Sequence, residues 1–180
     1  GGGGGAADGA PVLDTGNTAW IITSTVLVLL MSIPGIALFY GGLVRQKNVL
    51  SLIMQTLFIV GVVSIIWVVF GYSWAFGTGF AESGNPLGAL IGGFDKCFLN
   101  GITVDSVESS GIPTYTWVMF QCMFALITPA LILGAFAERI KFKGYMIFII
   151  LWVIVAYFPM AHWVWGGGFL QQMDAFDFAG

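Results

Sequence analysis

Apolar residues dominate this chain in long blocks that short polar clusters separate. Uncharged intervals run over residues 15–44, 48–81, 106–137 and 144–173, the third broken only by Glu108 near its start. Each is longer than the roughly 20 predominantly apolar residues that a helix needs to cross about 30 Å of hydrocarbon. The pattern predicts four spans, at 19–40, 49–76, 115–137 and 145–165. Runs such as IITSTVLVLL and IFIILWVIVAYF lack the two-residue alternation of a transmembrane barrel strand. The expected fold class is all-α, a polytopic helical membrane protein.

Composition strengthens this reading. Of the 180 residues, 58% are hydrophobic and 8% charged, and the mean hydropathy is +0.93. Such a chain cannot supply the polar surface of a water-soluble domain. The charges that exist give an orientation. Arg45 and Lys47 fall between spans one and two, and Arg139, Lys141 and Lys143 between spans three and four. Basic short loops favour the cytoplasmic side. Lys96 stands among Glu82, Asp95, Asp105 and Glu108 in the loop between spans two and three, which suits the outside. The N-terminus is therefore expected outside the cell membrane. A net charge of −3 and the lack of a basic patch offer nothing to nucleic acid.

Residues 1–17 read as a flexible outer tail, with no basic or apolar segment of a leader. Pro34, Pro129 and Pro159 fall within spans one, three and four. Neighbouring helices must then satisfy the freed carbonyls, which implies a tight bundle. The loop over residues 77–114 is glycine-rich and expected to be ordered only in part. Three glycines, Gly166, Gly167 and Gly168, end span four and predict a turn with positive φ. Asp174 and Asp177 follow, and a carboxylate there could cap a fifth helix beginning near Phe178.

Candidate chemistry is sparse. The only histidine is His162, and no lysine, arginine or carboxylate falls within the spans. No nucleophile with a base, no paired carboxylates and no metal-ligand spacing is present, so enzymatic catalysis and a cofactor are not expected. Cys97 and Cys122 lie in different environments and are not expected to pair. Phe120 and Phe124, four residues apart, share a helix face beside Gln121. Two readings fit them: packing against lipid or protein, and a pore wall whose rings hold a small cation by its attraction to π-electrons. Trp163 and Trp165 fit an interfacial belt. His162 fits a hydrogen-bonded helix end, or an ionisable functional group near the membrane face.

Three separated stretches carry a resemblance: IPGIALFYGGLVRQKNVL at residues 33–50, GAFAERIKF at 134–142, and AHWVWGGGFLQQMDAFDFAG at 161–180. Together they resemble the first half of an ammonium transporter of the Amt/Mep/Rh family. The resemblance implies an eleven-helix fold of two inverted five-helix repeats, of which residues 18–180 form the first, with a substrate path at the repeat interface. It also implies a homotrimer with one pore per subunit.

By position, Trp165 and Phe120 resemble the aromatic walls of an outer site for ammonium. Phe124 resembles one of two phenyl gates beneath it. Asp177 resembles the aspartate that anchors helix five and orders that site, and Phe39 and Tyr40 fall where the family lines the inner pore. Two pore histidines of the family have no counterpart here, and half of the pore is expected from a second repeat. A tryptophan at position 165 resembles the Amt rather than the Rh type. PII signalling trimers, which often close the family from the cytoplasm, are an implied partner. A sensor, with this membrane fold joined to a cytoplasmic signalling domain, is the alternative function. A four-helix structural protein of the tetraspanin or claudin kind would require paired cysteines in an outer loop, where Cys97 stands alone.

Overall fold

The computed structural model describes residues 11–179. Among them are four helices long and apolar enough to cross a membrane: α1 Thr15–Leu43, α2 Gln46–Phe76, α3 Thr114–Phe136 and α4 Phe142–Gln172. Asp14 caps α1, its side chain accepting from the Asn17 amide at 2.9 Å, which offsets one of the unpaired amides of the first turn.

Contacts at the two ends show how the helices alternate. At one end the Asp14 amide donates to the Gly111 carbonyl at 2.8 Å, so the start of α1 adjoins the long loop before α3. At the other, Glu138 joins the two short connections. Its Oε1 accepts from the Arg45 amide at 2.9 Å and from Asn48 Nδ2 at 2.7 Å. These two donors, Asn48 foremost, hold its carboxyl below the usual carboxylate range, although it is fully exposed. The basic residues and the glycine-rich loop thus occupy opposite ends.

The core forms where α2, α3 and α4 meet. Ile59, Val63 and Trp67 of α2, Ala125, Leu126 and Ala130 of α3, and Ile149, Val153 and Phe158 of α4 are all buried. The Trp67 indole donates to the Val118 carbonyl at 3.2 Å, which gives a buried polar group its partner. In contrast, Trp20, Val26 and Leu27 of α1 are exposed, as expected of side chains whose solvent is lipid.

Three of the spans contain a widened turn: Met31–Ile36, Trp67–Gly71 and Val153–Tyr157. In α4 the Phe158 amide reaches back five residues to the Val153 carbonyl. Pro159 follows directly and has no amide to donate, so the turn before it accommodates the missing bond. The same five-residue reach joins Tyr72 to Trp67 in α2. These two turns touch, since a Cβ on Gly71 would lie 2.5 Å from Cζ of Phe158. Only glycine admits that ring against the backbone.

The loop expected to be partly ordered is tied down along its length. It contains a helical turn, Gly79–Glu82, and two tighter turns, Pro86–Ala89 and Cys97–Leu99. The Phe80 amide donates to the Gly92 carbonyl at 3.1 Å, and the Glu108 amide to that of Ile112 at 2.8 Å. Ser73 of α2 donates its hydroxyl to the Gly93 carbonyl at 2.9 Å. Such backbone bonds, spread over glycines with little hydrophobicity, leave no periodic signal in a sequence. Cys97 is half-buried and Cys122 buried, both as free thiols.

Candidate functional site

Aromatic side chains from α2, α3 and α4 converge at the glycine-rich end. Phe76 closes α2; Trp117, Phe120 and Phe124 lie along α3; Trp165 closes the long segment of α4. These five, with Gln121, Val164, Gln171, Ala175, Phe176 and Asp177, line one open cavity of about 550 Å³. The rings form a connected row. Phe76 and Trp117 have centroids 6.3 Å apart, Trp117 and Phe120 5.9 Å, and Phe120 and Phe124 5.1 Å at 85°, edge to face. Helical spacing places Phe120 one turn above Phe124 on a common face.

Trp165 owes its place to the glycine turn. Gly167 has φ of +90°, the left-handed geometry that favours glycine. Gly166 and Gly168 are there for a different reason: a Cβ on Gly166 would strike the Ala75 carbonyl, and one on Gly168 would lie 2.5 Å from the Trp163 Cα. After the turn comes a four-residue helix, Phe169–Gln172, which the sequence pattern did not predict. It returns the chain so that Asp177 faces Trp165, and the indole Nε1 donates to Asp177 Oδ2 at 3.0 Å. Two glutamines brace the turn. Gln171 Oε1 accepts from the Gly167 amide at 2.7 Å, and Gln172 Nε2 donates to the Gly167 carbonyl at 2.8 Å.

The structure therefore brings together four of the six residues singled out from the sequence: Phe120, Phe124, Trp165 and Asp177. Phe39 and Tyr40 lie on α1 outside this cavity. Their rings meet edge to face at 5.2 Å. Phe39 is exposed, while Tyr40 donates its hydroxyl to the Leu131 carbonyl of α3 at 2.8 Å and rests on Gly134. Residues 173–178 form no helix, so a fifth helix beginning near Phe178 falls at the limit of the described residues.

Sequence reasoning missed Phe76, Trp117 and the buried Gln121 as cavity residues. Phe76 and Trp117 sit at span ends, where aromatic residues are common for interfacial reasons, and only the tertiary fold shows them facing each other. His162 does not line the cavity. It is buried, with Nδ1 3.1 Å from the Ala75 carbonyl oxygen and Nε2 2.9 Å from that of Gly88.

Chemically, the cavity offers ring faces and edges, one carboxylate already engaged by an indole, and a buried amide. Among the described residues no group of three or more metal-ligating side chains is found. Ring faces attract a small cation, and the apolar wall formed by Phe120 and Phe124 disfavours its hydrated form.

Comparison with known proteins adds what the geometry alone does not give. The chain is 46% identical to an ammonium transporter of Aquifex aeolicus over 169 residues, covering 93% of the chain and 38% of that protein. It superposes on the crystal structure of Candida albicans Mep2 with a TM-score of 0.74 at 33% identity, covering 89% of the chain and 34% of that structure. A solved structure described as a sensor Amt protein gives 0.73 at 25% identity, covering 87% of the chain and 37% of that structure. The chain spans about two fifths of the length of the curated relatives it matches. The family model of the Ammonium Transporter Family matches residues 19–180, nearly all of the sequence, and the chain belongs to that family.

Proposed function

We propose that this chain forms the first half of an ammonium conduction path, and that its aromatic cavity recruits the cation from outside before an apolar constriction removes its proton. The observation that carries the reading is the convergence of Trp165, Phe120 and Phe124 on one cavity, with the indole held by Asp177. In this reading Trp165 and Phe120 contact ammonium, Phe124 gates the passage beneath, and Asp177 orients the indole without touching the ion.

Energetics explains the order of events. Taking a bare cation into a low-dielectric constriction costs several kcal/mol, whereas an aromatic face returns only about 0.5–2 kcal/mol. Aromatic attraction is enough to recruit the ion at a wet mouth and too little to carry it through a dry one. Burial disfavours the charged form of an amine, so the ion gives its proton to water at the wet mouth above the gate and ammonia passes. The remaining wall comes from the second repeat, and Phe39 and Tyr40 would border the inner exit.

Replacing Trp165 by leucine tests this. In the complete protein in liposomes, loss of a 0.5–2 kcal/mol attraction raises KM for labelled methylammonium roughly 2- to 30-fold. The maximal rate changes less. An unchanged KM would remove Trp165 from the site. A sensor reading has support from the likeness to the sensor Amt structure. It predicts ligand binding with little or no flux from the unsubstituted protein.

A further inference from the structure

We infer that the protein holds a second site for ammonium, a polar pit at the end opposite the aromatic cavity. The pit has a volume of about 190 Å³, and Asn48, Ser51 and Gln55 of α2 line it together with Glu138 of the α3–α4 connection and the apolar Val44 and Ile140. That its guest is ammonium rests on the conduction reading above, whereas the pit stands on its own residues.

Three of those residues form a stripe, since positions 48, 51 and 55 fall on one helix face. The neighbouring Thr56 is also buried, and its hydroxyl is satisfied inside the helix by the Leu52 carbonyl at 3.1 Å. Gln55 has no such arrangement. It is 7% exposed, and among the described residues its side chain makes no hydrogen bond. Nor is its amide sealed off: among the described residues, the sealed polar side-chain atoms without a partner belong to Ser32, Trp74 and Tyr145. The Gln55 amide therefore opens onto the pit. Helical side chains lean toward the N-terminus of their helix, which carries this amide toward Ser51. A desolvated amide without a partner is costly, so the pit calls for a guest rich in hydrogen bonds.

Charge narrows the choice of guest. Among the lining residues only Glu138 is ionisable, and it is fully exposed at the mouth. Both bonds that fix its carboxylate, from the Arg45 amide and from Asn48 Nδ2, fall on Oε1, which leaves the lone pairs of Oε2 for a guest. Arg45 and Lys47 act on this carboxylate from nearby, but neither lines the pit. An anion would be repelled by the carboxylate, and an apolar guest would strand the amide and the hydroxyl. Ammonium satisfies them: its N–H groups can meet a carboxylate oxygen, the Ser51 hydroxyl oxygen and the Gln55 amide oxygen, with water at the mouth for the remaining one. An alkali ion carries the same charge but needs a fuller shell of oxygens in place of its hydration, which these three side chains do not supply.

In the orientation expected from the basic connections, the pit faces the cytoplasm and is filled according to the ammonium concentration inside. The carboxylate that closes it is also the one that ties the α1–α2 connection to the α3–α4 connection, so occupancy acts on the residues that join the helices.

The test uses the complete, isotopically labelled protein in lipid bilayers. Solid-state NMR follows the Gln55 side-chain amide, assigned through its own backbone, while ammonium chloride replaces choline chloride at constant ionic strength. A saturable shift is expected. Glu138→Gln should raise the half-saturating concentration roughly 10- to 100-fold, the worth of a hydrogen bond to a charged group. Ser51→Ala, which leaves the bridge to Arg45 and Asn48 intact, should raise it several-fold. An amide that does not shift, or a midpoint that neither variant moves, would overturn the site; potassium chloride acting at the same midpoint would overturn ammonium as its guest. Trp165→Leu should leave the Gln55 titration unchanged, and a titration lost with Trp165 would assign the shift to the outer cavity instead. The two readings fail separately. An unchanged KM in Trp165→Leu removes recruitment while the Gln55 titration still decides the pit, and a missing titration beside a raised KM removes the pit while recruitment stands.

Discussion

Glu138 shows how much a single exposed side chain can organise. Its backbone lies in the left-handed region at φ of 64°, uncommon for a residue with a side chain, and its carboxylate bridges the two short connections. Because the folded protein favours the ionised form, the bridge contributes fully above the ordinary glutamate range, about 4.3, and is lost as pH falls through the lower folded value. Hydrogen exchange at the Arg45 amide is the measurement. Protection should be level from neutral pH down through the ordinary glutamate range and fall only below it, because the folded value is lowered, while Glu138→Ala should lack it throughout; protection that rose on acidification would contradict the assignment. This role was not legible in the sequence, where GAFAERIKF offers a carboxylate beside basic residues and nothing to show which amides it meets. The aromatic residues were easier. Phe120 and Phe124 declare a shared face by their spacing, and Trp165 sits at a span end, so only the folded turn was needed to aim it.

At the level of elements, hydropathy located the four long helices to within about one turn and missed the short helix that follows the glycine turn. Span four was expected over 145–165; the helix runs from Phe142 to Trp165, and a further turn to Gln172 follows the glycines. The extra turn, Phe169–Gln172, is too short to carry a periodic signature, and Gln171 and Gln172 hold it by bonds to Gly167. Prolines announced irregular turns in α1 and α4, but α2 has its own without one, at Trp67–Gly71. It ends at Gly71, where the Phe158 ring occupies the space a side chain would need. Gly71→Ala should therefore cost about 1–3 kcal/mol by overpacking, seen as a lower unfolding midpoint in detergent. Phe158→Leu should recover part of that loss in the double variant; strict additivity of the two changes would mean that the contact carries no energy.

For the whole molecule, orientation has most bearing on the proposed function, since under that proposal the cavity must face the supply of ammonium. The glycine-rich loop and the start of α1 share one end, and the basic connections share the other. With Cys97 replaced by serine, a cysteine at Ser110 should react with an impermeant maleimide in intact cells, and one at Lys143 only after permeabilisation. The reverse pattern would put the cavity inside. The paired irregular turns of α2 and α4 bear on the same geometry. Each inserts one residue, and a residue advances a helix by about 100°. Phe76 and Trp165 therefore point where they do because the part of each helix beyond its widened turn is out of phase with the part before it. Deleting one residue from either turn would leave every hydrophobic side chain in the membrane and still swing that wall of the cavity away from its partners.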